Sequence, residues 1–166
     1  MNKTKRKIFE TSMKLFADKG YDATSIEEIT ATVGVAKGTL YYHFSSKEEI
    51  FNFLVDEGVK LLKNSISIKT AKMNNSIDKI RAIILIQIKI LFKYENFMTI
   101  ILSQIWGNDE RSKLCKKYVF EYIQMIEEII KEGIKKKEIV NKDTDIIASG
   151  IFGFTCSSFI YKMRHE

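Results

Sequence analysis

The residue types that ordinarily carry catalysis are sparse in this chain. Its two histidines are His43 and His165, and the sequence contains no HExxH, no GxSxG and no phosphate-cradling glycine loop. The two cysteines, Cys115 and Cys156, have no CxxC spacing, so they predict neither a disulfide framework nor a zinc site. The sequence therefore predicts a protein that is not an enzyme and that uses no metal and no cofactor.

A short segment from Ala36 to Phe44 carries residue types suited to nucleic acid. At about 100° per residue in a helix, Ala36, Leu40 and Phe44 point to one side, which predicts a small core there. The other side then presents Gly38, Thr39, Tyr41 and Tyr42, with Lys37 and His43 on its flanks. A glycine allows close approach of the backbone, a threonine can meet a base edge, and tyrosine hydroxyl groups can reach phosphates. Each residue taken alone is equally consistent with ordinary solvent exposure.

Glycines and capping patterns predict the helices that would position this segment. A first helix is predicted from about Lys3 to Lys19, with Gly20 as its stop. The spacing in Thr24-Ser25-Ile26-Glu27 is that of a capping box and predicts the start of a second helix, which Gly34 ends. Two short helices joined by a glycine turn predict helix-turn-helix geometry.

The run TSIEEITATVGVAKGTLYYHFSSKEEI, residues 24–50, resembles the signature of the TetR family of bacterial transcriptional regulators. Leu15-Phe16 and Gly20-Tyr21 match the first helix of that family, so the resemblance covers residues 8–51 without a gap. One departure is Ala36, where the family often has a serine that caps the following helix. Losing such a cap costs about 1 kcal/mol and one possible phosphate contact.

The resemblance implies an all-α fold of about eight helices. It divides the chain into a three-helix, helix-turn-helix DNA-binding domain at residues 1–47 and a helical effector-binding and dimerisation domain at residues 48–166. It implies a cytoplasmic homodimer that binds a palindromic operator in double-stranded DNA and acts as a repressor, less often as an activator. A small apolar or amphipathic effector of unknown identity would release it from DNA.

The DNA contacts that the resemblance implies are carried over position by position. Thr24 and Ser25 would lie against phosphate at a helix start, and Lys47 would hold phosphate at another helix N-terminus. Residues assigned to the major groove and the adjoining backbone are Lys37, Gly38, Thr39, Tyr41, Tyr42 and His43.

After the three helices of the DNA-binding domain, the sequence predicts five more helices. The family places its effector cavity among the central ones. Residues 77–91 are apolar almost all round, which predicts a central, buried helix. Its Gln87 needs a polar partner if it is buried, and that partner could be backbone, water or ligand. The pocket candidates are Gln87, Leu91, Tyr94, Phe97, Met98, Trp106, Tyr118 and Tyr122. Each of these, taken alone, is more often an ordinary core residue.

The last predicted helix, residues 143–164, is expected to form the dimer interface. Ser149, Gly153 and Ser157 recur every four residues, so one face is lined by small side chains that a second helix can approach closely. Phe152 lies nearby and would be costly to expose. Many family members add a ninth helix that this chain lacks, so we expect either a smaller interface or a truncated chain.

The composition agrees with a helical protein that has an anionic partner. The 166 residues include no proline and 8 glycines, which favours long helices over a turn-rich sheet. Lys and Arg number 27 against 21 Asp and Glu, a net charge of +6, and the excess is denser over residues 1–47. The uncharged stretch 146–161 would span about 24 Å as a helix, short of the roughly 30 Å of a membrane core, so it predicts a buried helix.

A second interpretation stays open. The protein could be a DNA-bound interaction protein that recruits or blocks another protein and binds no small molecule. A fully packed C-terminal core would favour that interpretation, whereas a cavity of several hundred Å³ would favour an effector sensor.

Overall fold

The computed structural model describes residues 2–165, without the side chain of Met163, and in that range it contains eight α-helices and no strand. The helices are α1 (Lys3–Lys19), α2 (Ile26–Val33), α3 (Lys37–His43), α4 (Lys47–Thr70), α5 (Ser76–Lys93), α6 (Glu95–Gln104), α7 (Glu110–Lys135) and α8 (Thr144–His165). The all-α fold predicted from the sequence is confirmed.

The chain forms two compact units. The first unit contains the chain up to Gly58 together with Glu95–Cys115, and the second contains Val59–Tyr94 and the chain from Lys116 onward. The first unit therefore holds α1 to α3, the start of α4, α6 and the first residues of α7.

Local capping explains where the short helices of the first unit begin and end. The Ser25 side chain accepts a hydrogen bond of 3.0 Å from the Glu28 backbone N–H, so Ser25 is the N-cap of α2. The capping box predicted to begin at Thr24 is wrong by one residue. The Thr24 hydroxyl is buried and donates instead to the carbonyl of Gly20 at 2.8 Å, which ties it to the end of α1.

Aromatic packing holds the first unit together. The ring of Phe16 lies 5.2 Å from that of Tyr21, and Tyr21 lies 5.4 Å from Phe51, measured between ring centroids. Pairs of this kind add about 0.5–1.5 kcal/mol to the stabilisation from burial. On the opposite side of α4, Phe53 packs against Phe9 and Phe44 with centroids 5.7 and 5.5 Å apart.

The second unit has an aliphatic core to which α4, α5, α7 and α8 contribute. Its buried cluster comprises Ile66, Ile83, Tyr122, Ile126, Ile130 and Ala148. The prediction that α5 is a central helix holds for one of its faces only. One face carries the buried Ile83, Gln87 and Leu91, while Leu85 on the other face is 52% exposed and lines an open groove.

The prediction that residues 146–161 are buried is likewise wrong for half of α8. Ala148, Thr155 and Phe159 are buried, whereas Ile146 and Phe154 are exposed. Across residues 2–165, none of the helices combines the length and the apolar character needed to cross a membrane.

Gly58 tests how tightly α4 and α6 pack in the first unit. A Cβ added at Gly58 would lie 2.2 Å from the Phe97 ring, so that ring must move. We expect Gly58→Ala to lower the free energy of unfolding by about 1–3 kcal/mol, because overpacking outweighs the gain of about 1 kcal/mol in helix propensity. Chemical denaturation measures the change.

Gly38→Ala is the matched control, since a Cβ at Gly38 meets no atom within 4 Å. It should leave stability unchanged or raise it by up to about 1 kcal/mol. Equal effects of the two substitutions would contradict the packing argument.

Candidate nucleic-acid interface

A tight turn joins α2 to α3. Gly34 adopts a left-handed conformation, with φ 76° and ψ 42°, and its N–H donates to the Thr30 carbonyl at 2.9 Å. Such a φ is costly for residues that carry a Cβ, so glycine is the residue suited to end α2 here. The Val35 N–H also donates to the Thr30 carbonyl, at 3.1 Å, which completes the turn. α3 then begins only three residues after Gly34.

The orientation of α3 follows from two anchors. Leu40 and Phe44 are fully buried, and these two positions are one helical turn apart. The prediction that Ala36 joins them is wrong: Ala36 is the exposed N-cap of α3, and its side chain makes no capping hydrogen bond because a methyl group has no acceptor.

The opposite face of α3 is open. Tyr42 is 83% exposed, and Lys37 and Gly38 are exposed beside it. Tyr41 is 44% exposed, and Thr39 and His43 are half-buried at the edges. The six residues assigned to the groove from the sequence thus lie on or beside one open surface of a seven-residue helix.

The ammonium group of Lys37 has an internal partner. Its Nζ lies 2.6 Å from a carboxylate oxygen of Glu27 on α2. The hydrogen bond from Lys37 lowers the pKa of Glu27, and the same contact raises the pKa of Lys37, so both groups are charged near neutral pH. Both side chains are exposed, so the pair is a weak, solvent-screened one that a phosphate could replace.

Thr24, Ser25 and Lys47 already have partners inside the first unit. Thr24 is tied to the end of α1 and Ser25 caps α2, as described above. The Lys47 ammonium donates to the backbone carbonyls of Tyr21 and Thr24 at 2.8 and 2.9 Å. The phosphate contacts predicted for these three residues stay predictions, and the structure gives each of them a local role as well.

Two cations contact the Tyr21 ring, and one of them, Arg111, was not predicted from the sequence. Lys47 Nζ is 4.2 Å from the ring centroid, and Arg111 Cζ is 4.0 Å from it. Arg111 also pairs with Asp22 at 3.2 Å and with Asp109 at 2.6 Å. The loop between α1 and α2 is thereby fastened to the first turn of α7. Arg111 lies 90 residues from Tyr21 in the chain, so no local pattern could have indicated the contact.

The predicted effector-pocket residues are split between the two units. Phe97, Met98 and Trp106 belong to the first unit, where Phe97 is buried against Gly58 and Trp106 is 85% exposed. The other five belong to the second unit.

Two of the five pocket candidates in the second unit touch each other. The Tyr122 hydroxyl donates a hydrogen bond of 2.6 Å to the side-chain oxygen of Gln87, and both residues are buried. Burial raises the pKa of Tyr122, so the hydroxyl stays protonated and remains a donor. The partner that a buried Gln87 requires is therefore another side chain.

The predicted interface residues of α8 lie on two different faces of the helix. Ser149, Gly153 and Ser157 lie on its exposed face, together with Ile146, Phe154, Ile160 and Tyr161. Phe152 points inward instead, with its ring 6.0 Å from that of Tyr122. The exposed face is a stripe of apolar and small residues with no charge between Ile146 and Tyr161.

Arg111 provides a test of how the first unit is held together. We expect Arg111→Ala to lower the free energy of unfolding by about 1–2 kcal/mol, because a partly desolvated cation–π contact and two ion pairs are lost. Thermal and urea unfolding measure the change. Lys113→Ala, which removes one exposed ion pair from the next turn of α7, should change stability by less than about 0.5 kcal/mol. Equal losses in both variants would contradict the special role of Arg111.

Comparisons with known proteins place the helix-turn-helix in a family. The family model described as "Bacterial regulatory proteins, tetR family" matches residues 8–53. The biofilm operon icaADBC HTH-type negative transcriptional regulator IcaR of Staphylococcus aureus (strain Newman) is 40% identical over 74 residues. That match covers 45% of this chain and 40% of IcaR, so the chain spans less than half the length of the curated relative.

Solved structures match over nearly the whole chain. A Clostridium perfringens protein described as a "putative fatty acid metabolism regulator" is 34% identical, with a TM-score of 0.89 and coverage of 96% of this chain and 86% of that one. The structure of AibR in complex with isovaleryl coenzyme A and operator DNA has a TM-score of 0.78 at 22% identity, covering 92% of this chain and 84% of AibR, and shows the shared fold alone.

The helix-turn-helix match and the 34% identity across most of a solved relative lead to one conclusion. This chain belongs to the TetR family of bacterial regulatory proteins.

Proposed function

We propose that this protein is a homodimeric transcriptional repressor that binds a palindromic DNA operator and leaves it when a small apolar or amphipathic effector binds. Residues 1–47 would form the DNA-binding domain and residues 48–166 the effector and dimerisation domain. The observation that carries the proposal is the open face of α3, on which Tyr42 is 83% exposed while Leu40 and Phe44 on the other side are buried.

The chemistry of that face supports DNA as the partner. Gly38 has no side chain, and a Cβ built there would meet no atom within 4 Å, so a duplex could approach the backbone closely. Thr39 could reach a base edge, and the hydroxyl groups of Tyr41 and Tyr42 could reach phosphates. Lys37 could exchange its weak pairing with Glu27 for a phosphate, with release of counterions.

The exposed face of α8 supports dimerisation. Large apolar side chains such as Phe154, 69% exposed, and Ile160, 64% exposed, are costly to leave in water. The small side chains of Ser149, Gly153 and Ser157 between them would let a second copy of α8 approach closely. In such a dimer the two α3 helices would need to lie about 34 Å apart to enter successive major grooves.

Release by an effector is supported by the second unit and by one structural neighbour. AibR is described in complex with isovaleryl coenzyme A and operator DNA. In this chain the buried Gln87–Tyr122 pair offers a polar contact in the core that a ligand could exchange. The effector would have to prefer a conformation in which the two α3 helices do not match successive major grooves. To weaken DNA binding a hundredfold, this preference must be worth about 2.8 kcal/mol of binding free energy.

The alternative is a DNA-bound interaction protein without an effector. The Gln87 side-chain oxygen already accepts a hydrogen bond of 2.6 Å from Tyr122, so this oxygen needs no ligand, which favours the alternative. Operator binding that stays tight in the presence of every ligand that binds the purified protein would support it.

Substitution of Tyr42 tests DNA binding. We expect Tyr42→Ala to weaken binding to the operator by about 1–3 kcal/mol, tenfold or more. The thermal stability of the protein should not fall, because Tyr42 is largely exposed. The measurement is a titration of the protein against the intergenic DNA upstream of its own gene at two salt concentrations. Wild-type binding should be tight and should weaken as salt rises.

Trp106→Ala is the matched control, because Trp106 is 85% exposed and also belongs to the first unit but lies outside α2 and α3. It should leave the affinity for DNA unchanged. Weak, sequence-indifferent binding by the wild type, or equal losses in the two variants, would contradict the assignment of α3.

Substitution on α8 tests the dimer. We expect Phe154→Glu to convert the dimer to a folded monomer, because it places two charges in an apolar interface. Sedimentation velocity and circular dichroism measure mass and fold. Val140→Glu changes an apolar side chain that is 75% exposed outside α8 and should leave the mass unchanged. A dimer that survives Phe154→Glu would remove this face from the interface.

A further inference from the structure

An open groove in the second unit differs in chemistry from the buried core. It is lined by the C-terminal part of α4, by the turn after α4 and by residues 78–89 of α5, in two overlapping sections of about 510 and 620 Å³. Volumes of this size suit one small organic ligand. The lining includes Ile68 and Lys69 of α4 and Lys72 of the turn that follows α4. On the α5 side it includes Arg81, Leu85 and Lys89.

The middle of the groove is apolar. Ile68 is 79% exposed and Leu85 is 52% exposed, and both line the groove together with the buried Ala82. Apolar surface of this kind gains free energy when a ligand covers it, at roughly 25 cal/mol per Å².

The residues that line the groove include three lysines. Lys69, Lys72 and Lys89 are exposed, and within residues 2–165 none of them forms an ion pair. Lys63 and Lys79 of the same unit, by contrast, pair with Glu121 at 2.7 Å and with Glu132 at 3.0 Å. Asp78, a carboxylate that also lines the groove, pairs with Arg81 at 3.1 Å.

We propose that this groove binds a monomeric amphipathic anion. The apolar chain of the ligand lies against Ile68 and Leu85, and its anionic head group lies among Lys69, Lys72 and Lys89. The proposal goes beyond the function above, because binding here requires neither DNA nor the Gln87–Tyr122 pair, which faces the other side of α5.

The charges argue against a second copy of the chain as the occupant. A two-fold symmetric contact through this groove would bring the unpaired lysines of both copies together. Like charges repel, so self-association through this surface is disfavoured. The exposed face of α8, which carries no charge between Ile146 and Tyr161, has no such obstacle.

The test uses dodecanoate, kept below the concentration at which it forms micelles, and the full-length protein in isothermal titration calorimetry. We expect saturable binding at one site per chain, weaker at high salt because the lysines are exposed. Acetate, which has the head group alone, and dodecyltrimethylammonium, which has the opposite charge, should both bind at least tenfold more weakly.

Two variants locate the site. Lys69→Glu/Lys89→Glu should weaken dodecanoate binding about tenfold or more, and Leu85→Gln should weaken it through loss of apolar contact. The matched control is Lys142→Glu, which reverses an exposed lysine outside the groove and should change the affinity less than twofold. All of these side chains are exposed, so we expect each variant to fold. Circular dichroism checks this.

Three results would overturn the proposal. The first is that dodecanoate and dodecyltrimethylammonium bind equally well. The second is that the groove variants still bind dodecanoate with unchanged affinity, whereas Tyr122→Phe abolishes the binding. The third is binding to anionic vesicles without binding to monomeric dodecanoate. Loss of DNA binding in Tyr42→Ala bears only on the proposed function, so the two proposals can fail independently.

Discussion

The burial of Leu40 and Phe44 is the constraint on which the candidate interface depends. A helix of seven residues is too short to be stable by itself, so α3 exists because its apolar side chains are packed into the first unit. Once those two side chains are buried, the helical period directs Gly38 and Tyr42 outward. The same packing that stabilises α3 therefore creates its exposed face.

The surroundings of α3 are held by polar contacts that cross long distances in sequence. Lys47 at the start of α4 hydrogen bonds to the carbonyls of Tyr21 and Thr24, and Arg111 at the start of α7 lies against the Tyr21 ring. The loop that precedes α2 is thus fixed by cations from two other helices. A rigid loop matters for recognition, because an interface that is already ordered loses less entropy on binding.

Two exposed apolar surfaces of the second unit differ in the charges that surround them. The face of α8 is apolar and uncharged, which suits a surface of the same composition. The groove between α4 and α5 combines Ile68 and Leu85 with unpaired lysines, which suits an amphipathic anion. The two surfaces are both apolar, but the charges beside them differ, so we expect them to bind different partners.

The helices and the likeness to a family could be predicted from local sequence. Gly20 and Gly34 mark helix ends through their conformational freedom, and the run over residues 24–50 carries the family resemblance. One error arose where local patterns were ambiguous. Thr24 and Ser25 both fit an N-cap, and only the burial of Thr24 against the end of α1 decides between them.

The sequence by itself determined the all-α fold, the positions of its turns and the residue types on the face of α3, because helical periodicity and capping act over a few residues. Only the tertiary structure decided the partner of Gln87, the cations on Tyr21 and the exposed sides of α5 and α8. Each of these depends on which helices pack together. Apolar side chains attract one another without direction, so their pattern along one helix does not specify the helix that will cover them.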